Sequence, residues 1–277
     1  NMKQIITLGH SPDADDAFMF YGISKGIVTS ERFTFEHIIK DIQSLNLLAL
    51  ENSIDTTAVS AHAYTKMHKQ YRVMDCGASM GDGYGPILVS KDKFDSEKGL
   101  RIAVPGKLTS AFLLLQLYCK EAVFVEYDFD KVVPAILDSE VDAGLIIHEG
   151  QITYKELGLN LLLDLPKMWG QDCKYPIPLG LNVISRSLDS DVQIEISRMI
   201  KKSISYSLDN IEEALDYAME FGRGVSRDVA REFVLMYVNE DTIDFSTRGV
   251  HGLEYLYESA YKKKLISEKI ELDLILT

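Results

Sequence analysis

Short apolar runs alternate with helix-length amphipathic segments through the first two-thirds of the chain, and few folds accept that alternation. The runs read as strands over Gln4–Leu8, Phe33–Ile39, Thr56–Val59, Tyr71–Cys76, Ile87–Ser90, Arg101–Val104, Ala122–Val125, Ala143–Ile147 and Leu161–Leu165. Between them the spacing predicts helices over Ala14–Ser24, Ile42–Leu50, Ser110–Cys119, Asp130–Leu137 and Ile152–Leu157. A strand that is followed by a helix before the next strand returns is the mark of βαβ units. The expectation is therefore an α/β fold with largely parallel pairing.

The last third changes character. From Ser190 to Lys264 it reads as helices, with Ile194, Ile196, Met199, Ile200, Ile204 and Leu208 at helical spacing. Gly222–Gly224 and Asn239–Asp241 punctuate it. Two Gly/Pro-rich stretches, Tyr84-Gly-Pro-Ile87 and Pro176-Ile-Pro-Leu-Gly180, each border an apolar run. Two such crossings predict a discontinuous α/β domain of residues 1–86 plus 179–277, with a helical tail, and an inserted α/β domain of residues 87–178.

A chain of 277 residues can bury one large core or two medium ones. Its formal net charge of −13 argues against nucleic acid or an anionic membrane surface as partner. It leaves room for a small anionic ligand, because surface charge is screened over about 8 Å at physiological salt. Cys76, Cys119 and Cys173 are isolated, without CxxC or CxxH spacing, so no structural zinc site is expected. An odd, low cysteine count fits a reducing compartment. No apolar stretch has the length of a membrane span or of a signal-peptide core, and Asn1 before Met2 looks like an expression remnant. The expectation is a cytoplasmic protein.

Four segments stand at the ends of predicted strands, where open α/β sheets bind ligands. After the first strand, Ser11-Pro12 turn into Asp13-Ala-Asp15-Asp16; three aspartates in four residues exceed what one helix cap needs. Thr57-Ala58-Val59-Ser60 leads into a helix that carries His62; Ser60 suits an N-cap, or its hydroxyl and the N–H groups after it face a ligand. Pro105-Gly-Lys-Leu-Thr109-Ser110-Ala111 opens an apolar helix with small hydroxyl residues, a nest for an oxyanion without P-loop spacing. Asp142-Ala-Gly-Leu-Ile-Ile-His148-Glu149-Gly150 delivers a histidine, the side chain best matched to proton transfer near neutral pH. Each segment also has a plain structural reading as a cap or a core residue. Two fall in the first domain and two in the inserted one, and together they predict a small-molecule site in an interdomain cleft.

These segments resemble the 1,4-dihydroxy-6-naphthoate synthase family of the futalosine route to menaquinone. The resemblance rests on Ser11-Pro12 with Asp16-Ala-Phe18, on Thr57-Ala-Val-Ser60 with His62-Ala-Tyr64, on Pro105-Gly with Thr109-Ser-Ala111, and above all on Asp142–Gly150. Pro178-Leu-Gly-Leu-Asn182 fits the family's return crossing. The resemblance covers about Thr7 to Ser185. It departs from the family in the opening loop, where Asp13-Ala-Asp15 replaces Cys-Pro-Asn and Ala17 replaces a threonine, which makes the loop more negative.

The resemblance implies a two-domain, periplasmic-binding-protein-like (type II) fold with a cleft and a helical C-terminal region. It implies a lyase that converts cyclic dehypoxanthinylfutalosine, an anionic small molecule, to 1,4-dihydroxy-6-naphthoate without metal or nucleotide. By match, His148 takes the proton-acceptor role. Asp16, Ala58, Val59, Ser60, Thr109, Ser110 and Ala111 take substrate-binding roles. Aromatisation of the product supplies driving force, so positioning, a base and oxyanion stabilisation would suffice. Two alternatives share the fold: a non-catalytic solute-binding protein and a chorismate dehydratase-like enzyme.

Overall fold

A computed structural model describes residues 2–221 and 224–277, so of the Gly222–Gly224 punctuation only Gly224 lies among the described residues. The strands are β1 (Gln4–His10), β2 (Phe33–Ile39), β3 (Thr56–Ser60), β4 (Tyr71–Met74), β5 (Ser79–Gly81), β6 (Ile87–Ser90), β7 (Arg101–Val104), β8 (Val123–Glu126), β9 (Ala143–Ile146), β10 (Asn160–Asp164), β11 (Ile177–Ser185) and β12 (Leu274–Ile275). The helices are α1 (Ala14–Met19), α2 (Tyr21–Ser24), α3 (Ile42–Leu50), α4 (Ala61–Met67), α5 (Ser110–Tyr118), α6 (Val132–Leu137), α7 (Gly150–Thr153), α8 (Leu165–Asp172), α9 (Ser190–Asp209), α10 (Ile211–Met219), α11 (Arg227–Tyr237), α12 (Glu240–Ile243) and α13 (Thr247–Lys262).

The chain forms two compact units. The first comprises residues up to Met80, Gly180–Thr247 and Ile270–Thr277. Its sheet runs β12-β4-β11-β3-β1-β2, with β5 beside β11. Pairing is mixed rather than largely parallel: β1 is parallel to β2 and β3, while β11 is antiparallel to β3 and β4. Sequence reasoning missed β11 because Pro178 and Gly180 look like breakers. Pairing with β3 begins only at Gly180, opposite Ser60, so the missing N–H of Pro178 falls outside that ladder.

The long helix α9 seats Ile196, Met199, Ile200 and Ile204 in the core with Phe18, Phe20 and Leu215. It also explains why the predicted Ala14–Ser24 helix is two pieces. Ser207 and Ser203, on its buried face, donate to the carbonyls of Phe18 and Met19 at 2.7 and 2.8 Å, where the backbone breaks at Phe20.

The second unit comprises Gly81–Leu179 and Arg248–Lys269. Its sheet runs β10-β6-β9-β7-β8, parallel through β9, β7 and β8 and antiparallel where β6 meets β9 and β10. Val132, Ala135 and Ile136 of α6 cover Ala103 and Ile146. Gly144 permits this contact, since a Cβ there would lie 2.6 Å from side-chain atoms of Val132 and Ile136.

Arg248–Lys269 belongs to this unit, whereas the sequence reading kept it with the first. Gly252 lets α13 approach the Pro176 carbonyl, which a Cβ would meet at 2.4 Å. Tyr255 meets the Trp169 ring edge-on at 5.3 Å, and Lys263 donates to the Leu117 carbonyl at 2.7 Å. Local sequence carries no sign of these long-range contacts. No helix among the described residues is long and apolar enough to cross a membrane.

Candidate active site

In the first unit β1 and β3 run side by side and parallel, with Gly9 opposite Thr57. The close approach requires glycine: a Cβ at Gly9 would lie 2.4 Å from Thr57 Oγ1. Both strands therefore deliver the residues after them at the same carboxyl end of the sheet. The turn after β1 is closed by Asp16, whose carboxylate accepts the Ser11 N–H at 2.9 Å. Asp13 stands at the N-cap of α1 without a side-chain capping bond, so the capping role expected there is not what fixes the loop. Asp16 is buried, and that burial outweighs the Ser11 donors and pushes its carboxyl up to about 6; nearby Asp13 adds to the rise. A buried carboxyl titrating near neutrality is a candidate functional group.

His10 lies behind this turn. Its ring stacks on Phe20 at 4.9 Å, and Nδ1–H donates to the Ser11 carbonyl at 2.8 Å. Burial lowers it to about 4, so it is neutral near pH 7.

Ala58, Val59 and Ser60 are buried, and each pairs with β11. Ser60 sits at the N-cap of α4 but makes no side-chain cap bond. Its partner is Asn46, fully buried on α3. Asn46 Oδ1 accepts the Ser60 N–H at 2.9 Å, and Nδ2 donates to Ser60 Oγ at 3.0 Å. Sequence reasoning missed Asn46. Its one signal was an amide inside the apolar run Leu45-Asn46-Leu47-Leu48, on the helix face that carries buried Leu45 and Ala49. His62 is buried within α4, as a helix residue.

In the second unit β7 and β9 are parallel neighbours, with Ile102 opposite Ala143 and Ala103 opposite Gly144. Thr109 and His148 thus leave the same end of that sheet. Thr109 caps α5: its hydroxyl accepts the Phe112 N–H at 3.2 Å and donates to the Gly106 carbonyl at 2.8 Å. The Ser110 hydroxyl donates to the Leu179 carbonyl. These hydrogen bonds occupy both hydroxyls. Ser110 and Ala111 stand in the first turn of α5, where backbone N–H groups have no acceptor within the helix itself.

Strand β9 ends at Ile146, and His148 follows in a turn with its side chain 17% exposed. The imidazole folds back so that Nδ1 accepts the Gly150 N–H at 3.0 Å. A Cβ at 150 would lie 2.9 Å from His148 Cε1, so a larger residue there would displace the ring. Phe129 meets the ring edge-on at 6.2 Å. The strand has ended before Glu149, and its buried carboxylate lies 4.0 Å from Nδ1. With Nδ1 as acceptor, the neutral ring carries its hydrogen on Nε2.

Asp16, Ala58, Val59 and Ser60 therefore gather at one sheet end of the first unit. Thr109, Ser110, Ala111 and His148 gather at one sheet end of the second. Among the described residues no group of three or more His, Cys, Asp or Glu side chains is disposed to hold a metal ion.

The sequence pattern of a family described as menaquinone biosynthesis matches residues 6–262. A Thermus thermophilus protein named 1,4-dihydroxy-6-naphthoate synthase is 34% identical over 262 residues, covering 95% of this chain and 96% of its own length. The chain belongs to the 1,4-dihydroxy-6-naphthoate synthase family of menaquinone biosynthesis. A crystal structure of an Archaeoglobus fulgidus protein is 47% identical and superposes with a TM-score of 0.92 over 95% of this chain and 98% of that one. This member of the family also shares its fold with an alkanesulfonate-binding protein from Xanthomonas axonopodis pv. citri, at a TM-score of 0.74 and 12% identity over 99% of both chains. The family member has a periplasmic-binding-protein-like α/β fold with a helical C-terminal region.

Proposed function

We propose that this chain is a 1,4-dihydroxy-6-naphthoate synthase, a lyase acting on cyclic dehypoxanthinylfutalosine, with His148 as its proton acceptor. The observation that carries the reading is the setting of His148. It follows the carboxyl end of a central strand, folded against the Gly150 N–H and 4.0 Å from a buried carboxylate.

The resting ring presents Nε2–H. To take a substrate proton at Nε2, the hydrogen must sit on Nδ1 instead, and the Gly150 N–H must let go. Glu149 is the group placed to receive that Nδ1–H and to stabilise the imidazolium that forms. The Ser110 and Ala111 N–H groups hold a carboxylate or a developing oxyanion. Asp16, Ala58, Val59 and Ser60 take substrate-binding roles. Breaking carbon–carbon and carbon–oxygen bonds then leaves an aromatic product.

The likeness to a solute-binding protein favours one rival, binding without turnover. Incubating the purified protein with cyclic dehypoxanthinylfutalosine decides between them. The proposal expects a naphthoate chromophore to appear at a rate proportional to enzyme. Substrate bound in stoichiometric amount and recovered unchanged would establish the rival.

A further inference from the structure

We infer that Asn46 is a positioning residue that fixes Ser60 as a hydrogen-bond donor, so that Ser60 meets an acceptor oxygen of the substrate, a carboxylate or a carbonyl. The inference rests on the reading that Ser60 contacts substrate.

The direction of each bond follows from what each atom is able to do. A backbone N–H only donates, so the atom of Asn46 facing the Ser60 N–H at 2.9 Å is the oxygen. That settles the amide orientation and leaves the NH2 group facing Ser60 Oγ at 3.0 Å. An amide NH2 only donates, so Oγ accepts, and the hydroxyl hydrogen points away from Asn46. Among the described residues no acceptor takes that hydrogen. Asn46 is fully buried and Ser60 is 3% exposed, so water does not compete freely for either group. A hydroxyl held in this way discriminates by hydrogen-bond polarity: an acceptor is welcomed, and a donor in the same place leaves two hydrogens opposed.

A plain structural staple between α3 and β3 would show the same two bonds, so the test must turn on direction. Asn46→Asp keeps size and shape but accepts from both Ser60 N–H and Ser60 O–H, which turns the hydroxyl inward. Naphthoate formation from cyclic dehypoxanthinylfutalosine is measured for wild type, Ser60→Ala, Asn46→Asp, Asn46→Ala and each Asn46 variant combined with Ser60→Ala.

Ser60→Ala should raise KM about tenfold or more, as expected for a hydrogen bond to a charged acceptor, with kcat changed little. Asn46→Asp should raise KM at least as far, and its effect should vanish in the Ser60→Ala background. If the aspartate variant does not fold, Asn46→Ala carries the same test: it should raise KM no further than Ser60→Ala does, and add nothing to it. Wild-type KM in a folded Asn46 variant, with Ser60→Ala impaired, would overturn the inference and leave Ser60's role standing. Additive effects, from charge repulsion or from a general loss of packing, would also overturn it. Unchanged KM in Ser60→Ala would remove Ser60 from the site and the inference with it.

Discussion

The two units solve the same problem by different means. In the first, the candidate site groups are set by side chains: Asn46 reaches from α3 to hold Ser60, and Asp16 closes the turn at Ser11. In the second they are set by nearby backbone: the Gly150 N–H donates to the imidazole, and the Thr109 and Ser110 hydroxyls bond to the carbonyls of Gly106 and Leu179. The first arrangement buries titratable groups and stores free energy in them. The second keeps its histidine partly exposed and leans on glycine. The first unit should therefore respond to changes of charge and pH, and the second to changes of shape.

The largest expected effects on stability lie in the first unit. The rise of Asp16 from 3.8 to about 6 corresponds to roughly 3 kcal/mol of lost stability at neutral pH. The folded state binds the proton more tightly than the unfolded one, so stability falls as pH rises from 3.8 to 6. Asp16→Asn should raise stability at pH 7 by up to about that amount while lowering turnover. Urea unfolding alongside a kinetic assay checks both. A less stable or fully active variant would break the contrast.

His10 works in the opposite sense. Its fall from 6.5 to about 4 means that the folded state prefers the neutral ring, so stability is present above 6.5 and is lost as pH falls toward 4. That loss is also roughly 3 kcal/mol. The two groups offset each other between pH 4 and 6. His10→Phe should leave a protein whose stability rises on mild acidification, and Asp16→Asn one whose stability falls faster than that of wild type. Unfolding midpoints at pH 4.5, 5.5 and 7 check this.

In the second unit the expected effects on stability are smaller, and those of Gly150 and Ser110 are steric or local. Gly150→Ala forces a Cβ against the imidazole and should cut kcat about 10²-fold through misplacement, with little change in the unfolding midpoint. Ser110→Ala removes the hydroxyl bonded to Leu179 but keeps the helix N–H donors. It should lose about 1 kcal/mol of stability and change KM by less than about threefold. A large KM effect there would return the hydroxyl itself to the substrate.

The same contrast explains what was legible in the sequence. His148, Glu149 and Gly150 are neighbours in the chain, and so are Thr109, Ser110 and Ala111, so a local reading could find them. Strand-to-helix alternation likewise marked most of the elements that carry them. Asn46 lies 14 positions from Ser60, and nothing local ties an amide in one helix to a serine at the end of the next strand. The strand β11, hidden by Pro178 and Gly180, and the docking of α13 through Gly252 depend on partners far away in the chain. The alternation suggested mostly parallel sheets. The return of β11 between β3 and β4 made the first sheet mixed, and the reversed β6, between β9 and β10, did the same for the second.

The central claim is that His148 is the base. The direct measurement is kcat of His148→Asn with cyclic dehypoxanthinylfutalosine, in protein shown by circular dichroism and unfolding midpoint to be folded. Asparagine keeps polarity and some bulk but takes no proton. The account predicts a loss of about 10²–10⁴-fold in kcat with substrate binding largely kept. Wild-type turnover in the folded variant would contradict it and leave His148 as a structural residue of the turn after β9.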